Sequence, residues 1–249
     1  MPERPRHPAI ALAVVCLGSV AAPLDSSVNI AFPSIARDLG FGVSEIRWVI
    51  IAYVLTYASL MLVFGKLGDL LGYRRIFQTG LVIATVGFLA CAAAPTLALL
   101  LPGRVLQGIG IALTWSCAPA LATSLYGESE RTRILALYGA VMAAGAALGP
   151  LAGGFLVEQF GWSVVFWARA PLVASAFLLS WLIPASAPGG GQSRFDWAGA
   201  VLLVTWMASF LMAAARPELP YPQIVTAVLI AVGLLAFAAF LRHEARHPE

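Results

Sequence analysis

The chain has 249 residues, of which 60% are hydrophobic and only 11% charged, where a soluble globular chain carries about 25% charged residues. Its apolar residues come in repeated runs of about 20, the length that crosses a bilayer core as a helix, and the short alternating segments of a membrane β-barrel are absent. The net charge of +3 comes from basic residues scattered between apolar runs, which excludes a nucleic-acid-binding patch. Cys16, Cys91 and Cys117 all lie inside apolar runs with no metal-ligand spacing, so neither a disulfide framework nor a metal site is expected. His7, His243 and His247 lie in the polar tails, which removes haem, zinc and a histidine proton relay from the apolar interior.

In chain order, Arg4 and Arg6 precede a first span predicted at roughly 9–32. Ser19-Val20-Ala21 within it has the small-residue form of a signal-peptidase site. The run continues, however, through Leu24-Asp25-Ser26-Ser27-Val28-Asn29-Ile30, which reads as the outer half of a spanning helix. Further spans are predicted at roughly 46–65, 76–95, 98–125, 134–157, 163–184, 197–215 and 222–241. The Pro-, Ala- and Gly-rich segment from Pro184 to Gly191 reads as a flexible linker between six spans and the last two. Its Gly-Gly-Gly is no phosphate loop, because no Gly-Lys-Ser/Thr follows.

Lys and Arg in the loops set the orientation. With the N-terminus inside, ten lie in cytoplasmic segments: Arg4, Arg6, Lys66, Arg74, Arg75, Arg131, Arg133, Arg194, Arg242 and Arg246. Three, Arg37, Arg47 and Arg216, lie outside. The expected organisation is therefore a cytoplasmic tail (1–8), a six-helix bundle (9–184), a cytoplasmic linker (185–196), two more spans (197–241) and a second cytoplasmic tail (242–249) in a cell, or inner, membrane. Trp48, Trp162 and Trp197 fall near span ends, where an indole sits at the headgroups.

Four segments carry chemistry. Asp25 is the only carboxylate deep inside a span. The predicted loop after the second span reads Gly65-Lys66-Leu67-Gly68-Asp69-Leu70-Leu71-Gly72-Tyr73-Arg74-Arg75. Its glycines let the backbone turn sharply, Asp69 can sit at a helix N-terminus or on a cation, and Arg74 and Arg75 hold the loop at the cytoplasmic side. The fourth span opens with Arg104-Val105-Leu106-Gln107-Gly108-Ile109-Gly110-Ile111-Ala112. An arginine at mid-helix costs about 2.5–3.5 kcal/mol on insertion scales, so Arg104 needs a partner or a wet cavity. In the fifth span, Gly145, Gly149 and Gly153 repeat every four residues and line one helix face, with Pro150 bending the helix and Gly154 beside them.

The 65–75 segment resembles the signature loop of the major facilitator superfamily, with Tyr73 where a basic residue is usual. Arg104 to Ala112 resembles that family's Arg-x-x-Gln-Gly-x-Gly-x-Ala element, and Gly145 to Gly154 its antiporter element Gly-x-x-x-Gly-Pro-x-x-Gly-Gly. The extended form of the latter has a glycine where Ala136 stands. The stretch Leu24 to Pro33 is similar to the first helix of the drug:proton antiporters with fourteen spans, as are Trp48 to Tyr53 and Phe195-Asp196-Trp197-Ala198-Gly199. One departure is Gly161 to Pro171, where Arg169 replaces a common Asn and Ser163 a basic residue.

The resemblance implies an all-α integral membrane protein: a six-helix N-terminal major facilitator bundle plus two further transmembrane helices. It implies proton-coupled efflux of amphipathic organic compounds, with no cofactor and no enzymatic site. The partners expected are a small-molecule substrate, protons, the lipid bilayer and a second six-helix half. A non-transporting scaffold or sensor with a half-transporter fold stands as the alternative. At 1.5 Å per residue, Asp25 and Arg104 lie roughly 10 Å below the outer surface, and the fold brings spans 1 and 4 together, so the two form the expected proton-coupling pair. Ser26, Asn29, Gln107, Thr114, Trp115 and Met142 are the expected cavity residues. Arg169 is expected to be structural, paired across a short turn with Glu158. The Gly145, Gly149 and Gly153 face is expected to pack against the second half.

Overall fold

The computed structural model describes residues 8–184, 195–215 and 222–246; most of the linker, the loop at 216–221 and the tail ends lie outside the described residues. Those described form helices throughout, and eight spans are long and apolar enough to cross a membrane. Three of the predicted elements differ in form from their expectation, and prolines explain two of them.

The first span is not one helix. It comprises α1 (Pro8–Ser19), a 3₁₀ turn (Pro23–Asp25) and α2 (Ser26–Leu39). Pro23 has no N–H to give the Ser19 carbonyl four residues back. That carbonyl instead accepts from Ala22 N–H at 3.3 Å and from the Trp115 indole N–H at 2.8 Å. The break sets Asp25 at the junction of two helices rather than on a helix flank. Likewise the sixth span divides into α7 (Val164–Trp167), α8 (Arg169–Leu179) and a 3₁₀ turn (Ser180–Leu182). Pro171 cannot donate to Trp167, and Arg169 opens the helix that follows the break.

The second and third spans are α3 (Val43–Leu71) and α4 (Tyr73–Ala92). The expected loop from Gly65 is therefore helical up to Leu71, and the reversal is confined to Gly72 at φ 93°. That positive φ is one a β-carbon opposes. The remaining long helices are α5 (Leu97–Ser124), α6 (Arg131–Phe160), α9 (Trp197–Ala214) and α10 (Gln223–Arg246).

α5 is the axis of the bundle, running along α4 and α3. Its contact with α4 is set by small residues: a β-carbon at Gly110 would stand 2.6 Å from Ala84 Cα, and one at Gly87 would stand 2.7 Å from Gln107 Cα. Close approach of this kind lets helices associate in lipid, where apolar surface alone gives little drive. α2 packs on α6, and α8 on α1 and α4. α9 and α10 pair with each other, and α9 lies against α3.

The glycine face of α6 needs a correction. Gly145, Gly149 and Gly153 are buried within this chain, not held open for a second half. They meet Val20, Pro23, Leu24, Ser26 and Ser27 of the first span, and a β-carbon at Gly153 would lie 2.9 Å from Ser27 Cα. The first span fills that groove because its own break brings it across α6. Gly154, one residue off the face, is only half-buried.

Candidate functional site

Asp25 is held by three side chains from two other helices. The fork of Arg104 on α5 is bidentate, with Nη1 donating to Asp25 Oδ1 at 3.0 Å and Nη2 to Oδ2 at 2.9 Å. Gln107, one turn further along α5, donates to Oδ1 at 3.0 Å and accepts from Arg104 Nη1 at 2.9 Å. Arg104 Nε reaches the Val49 carbonyl of α3 at 3.1 Å. This geometry uses the planar fork of arginine, which a lysine does not have.

Arg169 has a partner other than the expected Glu158. Its Nη1 donates to Asp25 Oδ1 at 2.5 Å, and its Nε to the Val165 carbonyl at 2.6 Å. Glu158 is exposed on α6, and the guanidinium turns to Asp25 instead. Burial explains the choice: an arginine 4% exposed requires the anion that is buried with it. A signal was present in the sequence, since two arginines within apolar spans faced only one deep carboxylate.

Aromatic rings complete the enclosure. The Arg104 guanidinium lies 4.3 Å from the Tyr53 ring centroid, and that of Arg169 lies 5.0 Å from Phe88 and 5.3 Å from Phe166. Ring faces attract a desolvated cation, adding to what one carboxylate supplies to two guanidinium groups.

Asp25, Arg104, Tyr53, Ser26, Asn29 and Trp115 all line one cavity of about 280 Å³. Ser26 Oγ lies 2.9 Å from Pro23 O and 3.3 Å from Ala146 O. Pro150 leaves that Ala146 carbonyl without its helical donor, which is how the proline of α6 meets the cavity wall. The other expected cavity residues sit elsewhere. Gln107 is fully buried behind the carboxylate, Thr114 is buried with its hydroxyl on the Gly110 carbonyl at 2.5 Å, and Met142 is half-buried away from this lining. Two larger cavities, of about 500 Å³ between α3 and the α9–α10 pair and about 550 Å³ between α1 and α6, enclose no buried charge. The buried charge singles out the smaller one.

At the α3–α4 reversal, Asp69 accepts from the Tyr73 hydroxyl at the first residue of α4. The non-basic Tyr73 thereby satisfies the acid locally. Arg74 lies over the Trp181 ring at 5.3 Å and donates to the Trp181 carbonyl at 3.3 Å, while Gln78 donates to Ser180 Oγ at 2.9 Å. The reversal is thus tied to the end of the sixth span. Gly68 is packed against Cys117 and Tyr73, whereas Gly65 has open space beside it and Arg75 is exposed.

Residues 14–244 match the family profile of the Major Facilitator Superfamily. The chain belongs to that superfamily. Within it, the chain is 32% identical over 206 residues to the riboflavin transporter RibZ of Clostridioides difficile, covering 82% of this chain and 45% of that protein. It is 35% identical over 237 residues to the puromycin resistance protein pur8 of Streptomyces alboniger, covering 94% and 47%. It is 34% identical over 236 residues to the methylenomycin A resistance protein of Bacillus subtilis, covering 94% and 50%. The chain spans about half the length of these curated relatives. Among solved structures, the POT family transporter PepTSo superposes with a TM-score of 0.69 at 15% identity, over 100% of this chain and 56% of that one. The human organic anion transporter MFSD10 gives 0.61 at 17% identity, over 92% and 60%. Likeness at such identity concerns the fold alone. This superfamily member is a multi-pass membrane protein.

Proposed function

We propose that this chain is the N-terminal half of a proton-coupled exporter of amphipathic organic compounds, of the type with fourteen spans. Names of resistance and export proteins among the relatives support efflux. The observation that carries the reading is Asp25, a carboxylate buried within the spans and clasped by Arg104, Gln107 and Arg169 at a cavity wall.

The geometry suits coupling because the carboxylate ties three spans through one charge. A proton on Asp25 removes the charge that holds the Arg104 fork and Arg169, and with it the tie between α5, α8 and the break in the first span. A substrate beside Ser26, Asn29 and Trp115 occupies the same wall. Alternation then requires a second bundle to rock against this one, supplied by a second half in the same polypeptide or in another. Both termini lie in the cytoplasm in this reading, following the distribution of Lys and Arg.

The test is proton-gradient-driven efflux in proteoliposomes, with the chain joined to or co-expressed with a second half and rates normalised to folded protein. Asp25→Asn is expected to abolish uphill transport, since an amide keeps the shape but takes up no proton. Uphill transport at the normal rate by Asp25→Asn would remove proton coupling from this half. Lower yield of the variant with normal transport per folded molecule would mark the cluster as a static tie.

A further inference from the structure

The buried cluster is not electrically balanced. Arg104 and Arg169 bring two positive charges and Asp25 brings one negative charge. Among the described residues, Asp25 is the only carboxylate on the cavity wall and the only one that either guanidinium touches. Arg169 also keeps a buried Nη2 with no hydrogen-bond partner among the described residues, although the residue is only 4% exposed. A desolvated cation with donor capacity unfilled is costly, and the cluster keeps one positive charge in excess beside the cavity, although Arg169 itself does not line it.

We infer that the cavity selects organic anions, with one anionic group of an amphipathic compound compensating the excess positive charge. This rests on the reading of the cavity as the substrate site, and not on proton coupling. Arg104 lines the wall with its guanidinium under the Tyr53 ring and its nitrogens engaged, so its charge acts on an anion in the cavity through the field rather than by a direct hydrogen bond. The Asp25 charge offers such an anion little repulsion, because both carboxylate oxygens are already taken by Arg104, Gln107 and Arg169. Arg169 supplies the second positive charge from behind that carboxylate. Tyr53, Tyr57, Ile50 and Trp115 offer the apolar and aromatic surface for the body of the compound, and Ser26 and Asn29 the neutral polar contacts. A cation would add to a site that is positive already.

The experiment uses the 249-residue chain in lipid nanodiscs and three probes of one shape: 1-naphthoate, 1-naphthamide and 1-naphthylmethylammonium. Affinities are read by titration calorimetry near neutral pH. Naphthoate is expected to bind about tenfold or more tightly than the ammonium compound, with the neutral amide between them. Arg169→Gln is expected to bring naphthoate down to the level of the amide and leave the amide unchanged, and Arg169→Lys to restore part of the preference. If Arg169→Gln does not fold, the ranking on the unaltered chain decides. Ammonium binding equal to or tighter than naphthoate overturns the inference and leaves proton-coupled export standing. Absence of binding by all three overturns both the anion site and the substrate reading of this cavity. Anion preference with uphill transport retained in Asp25→Asn keeps the inference and overturns the coupling.

Discussion

In α5, buried residues recur from Leu100 to Ala122, and its polar members Arg104, Gln107 and Thr114 are buried with them. In α10 only Gly233 and Ala236 are buried along 24 residues, and in α9 only Gly199 and Ser209. Yet α10 has the highest mean hydropathy of the eight spans, and α5 is among the lower ones. Hydropathy in such a chain reports how well a helix suits lipid, not how deeply it packs. What gathers α5 and its neighbours is close contact of small residues and a shared polar cluster. The α9–α10 pair relies instead on ring contacts, with Trp206 and Phe237 at 4.8 Å, and on a polar contact at its end, where His243 Nε2 lies 2.9 Å from both Asp196 carboxylate oxygens.

The largest effect should come from breaking the small-residue contact in the bundle. Gly110→Leu forces a side chain into α4 at Ala84, and no folded peak should survive size-exclusion chromatography in detergent. Gly139→Leu, at a position with open space, should elute normally. Equal behaviour of the two would show that glycine contacts do not hold α4 to α5.

Next come the charges. Asp25→Ala leaves two buried guanidinium groups with no carboxylate and should cost on the order of 3–5 kcal/mol of stability, the range for breaking a buried pair. Arg104→Ala should cost less, because Arg169 still faces Asp25 and that remnant is neutral. Thermal melts of purified protein check the order. An Arg104→Ala loss equal to or above that of Asp25→Ala would mean that Arg169 gives no compensation.

The smallest effect belongs to the outer pair. Asp196 caps α9 by accepting from Gly199 N–H at 2.9 Å. That hydrogen bond, with His243 adding to it, holds the carboxyl below the ordinary aspartate range despite some desolvation. The folded state therefore favours the ionised form. Its contribution is present at neutral pH and is lost as pH falls below the ordinary value of 3.8 through the depressed one. Asp196→Ala should cost about 1 kcal/mol, typical of a lost N-cap, and hydrogen exchange should rise at the start of α9 while the Asp25 site is unchanged. Faster exchange in α5 as well would show that the two regions are coupled.

Much of this architecture could be read from residues alone. Runs of apolar residues give the eight spans, because a bilayer fixes their length and requires every backbone group to bond within its own helix. Asp25 and Arg104 stood out for the same reason, as charges where charge is expensive. The sequence determined that these two had to find partners, and spacing within α5 put Gln107 on the same helix face as Arg104. Only the tertiary structure decided who the other partners are. Pro23 and Pro171 break two spans, and the direction in which each segment leaves a break depends on what packs against it. Those directions turn Arg169 to Asp25 and away from Glu158, fold the first span onto the glycines of α6, and withdraw Thr114 from the cavity. A proline records in the sequence that a helix must bend; the neighbouring helices settle which side chains the bend brings together.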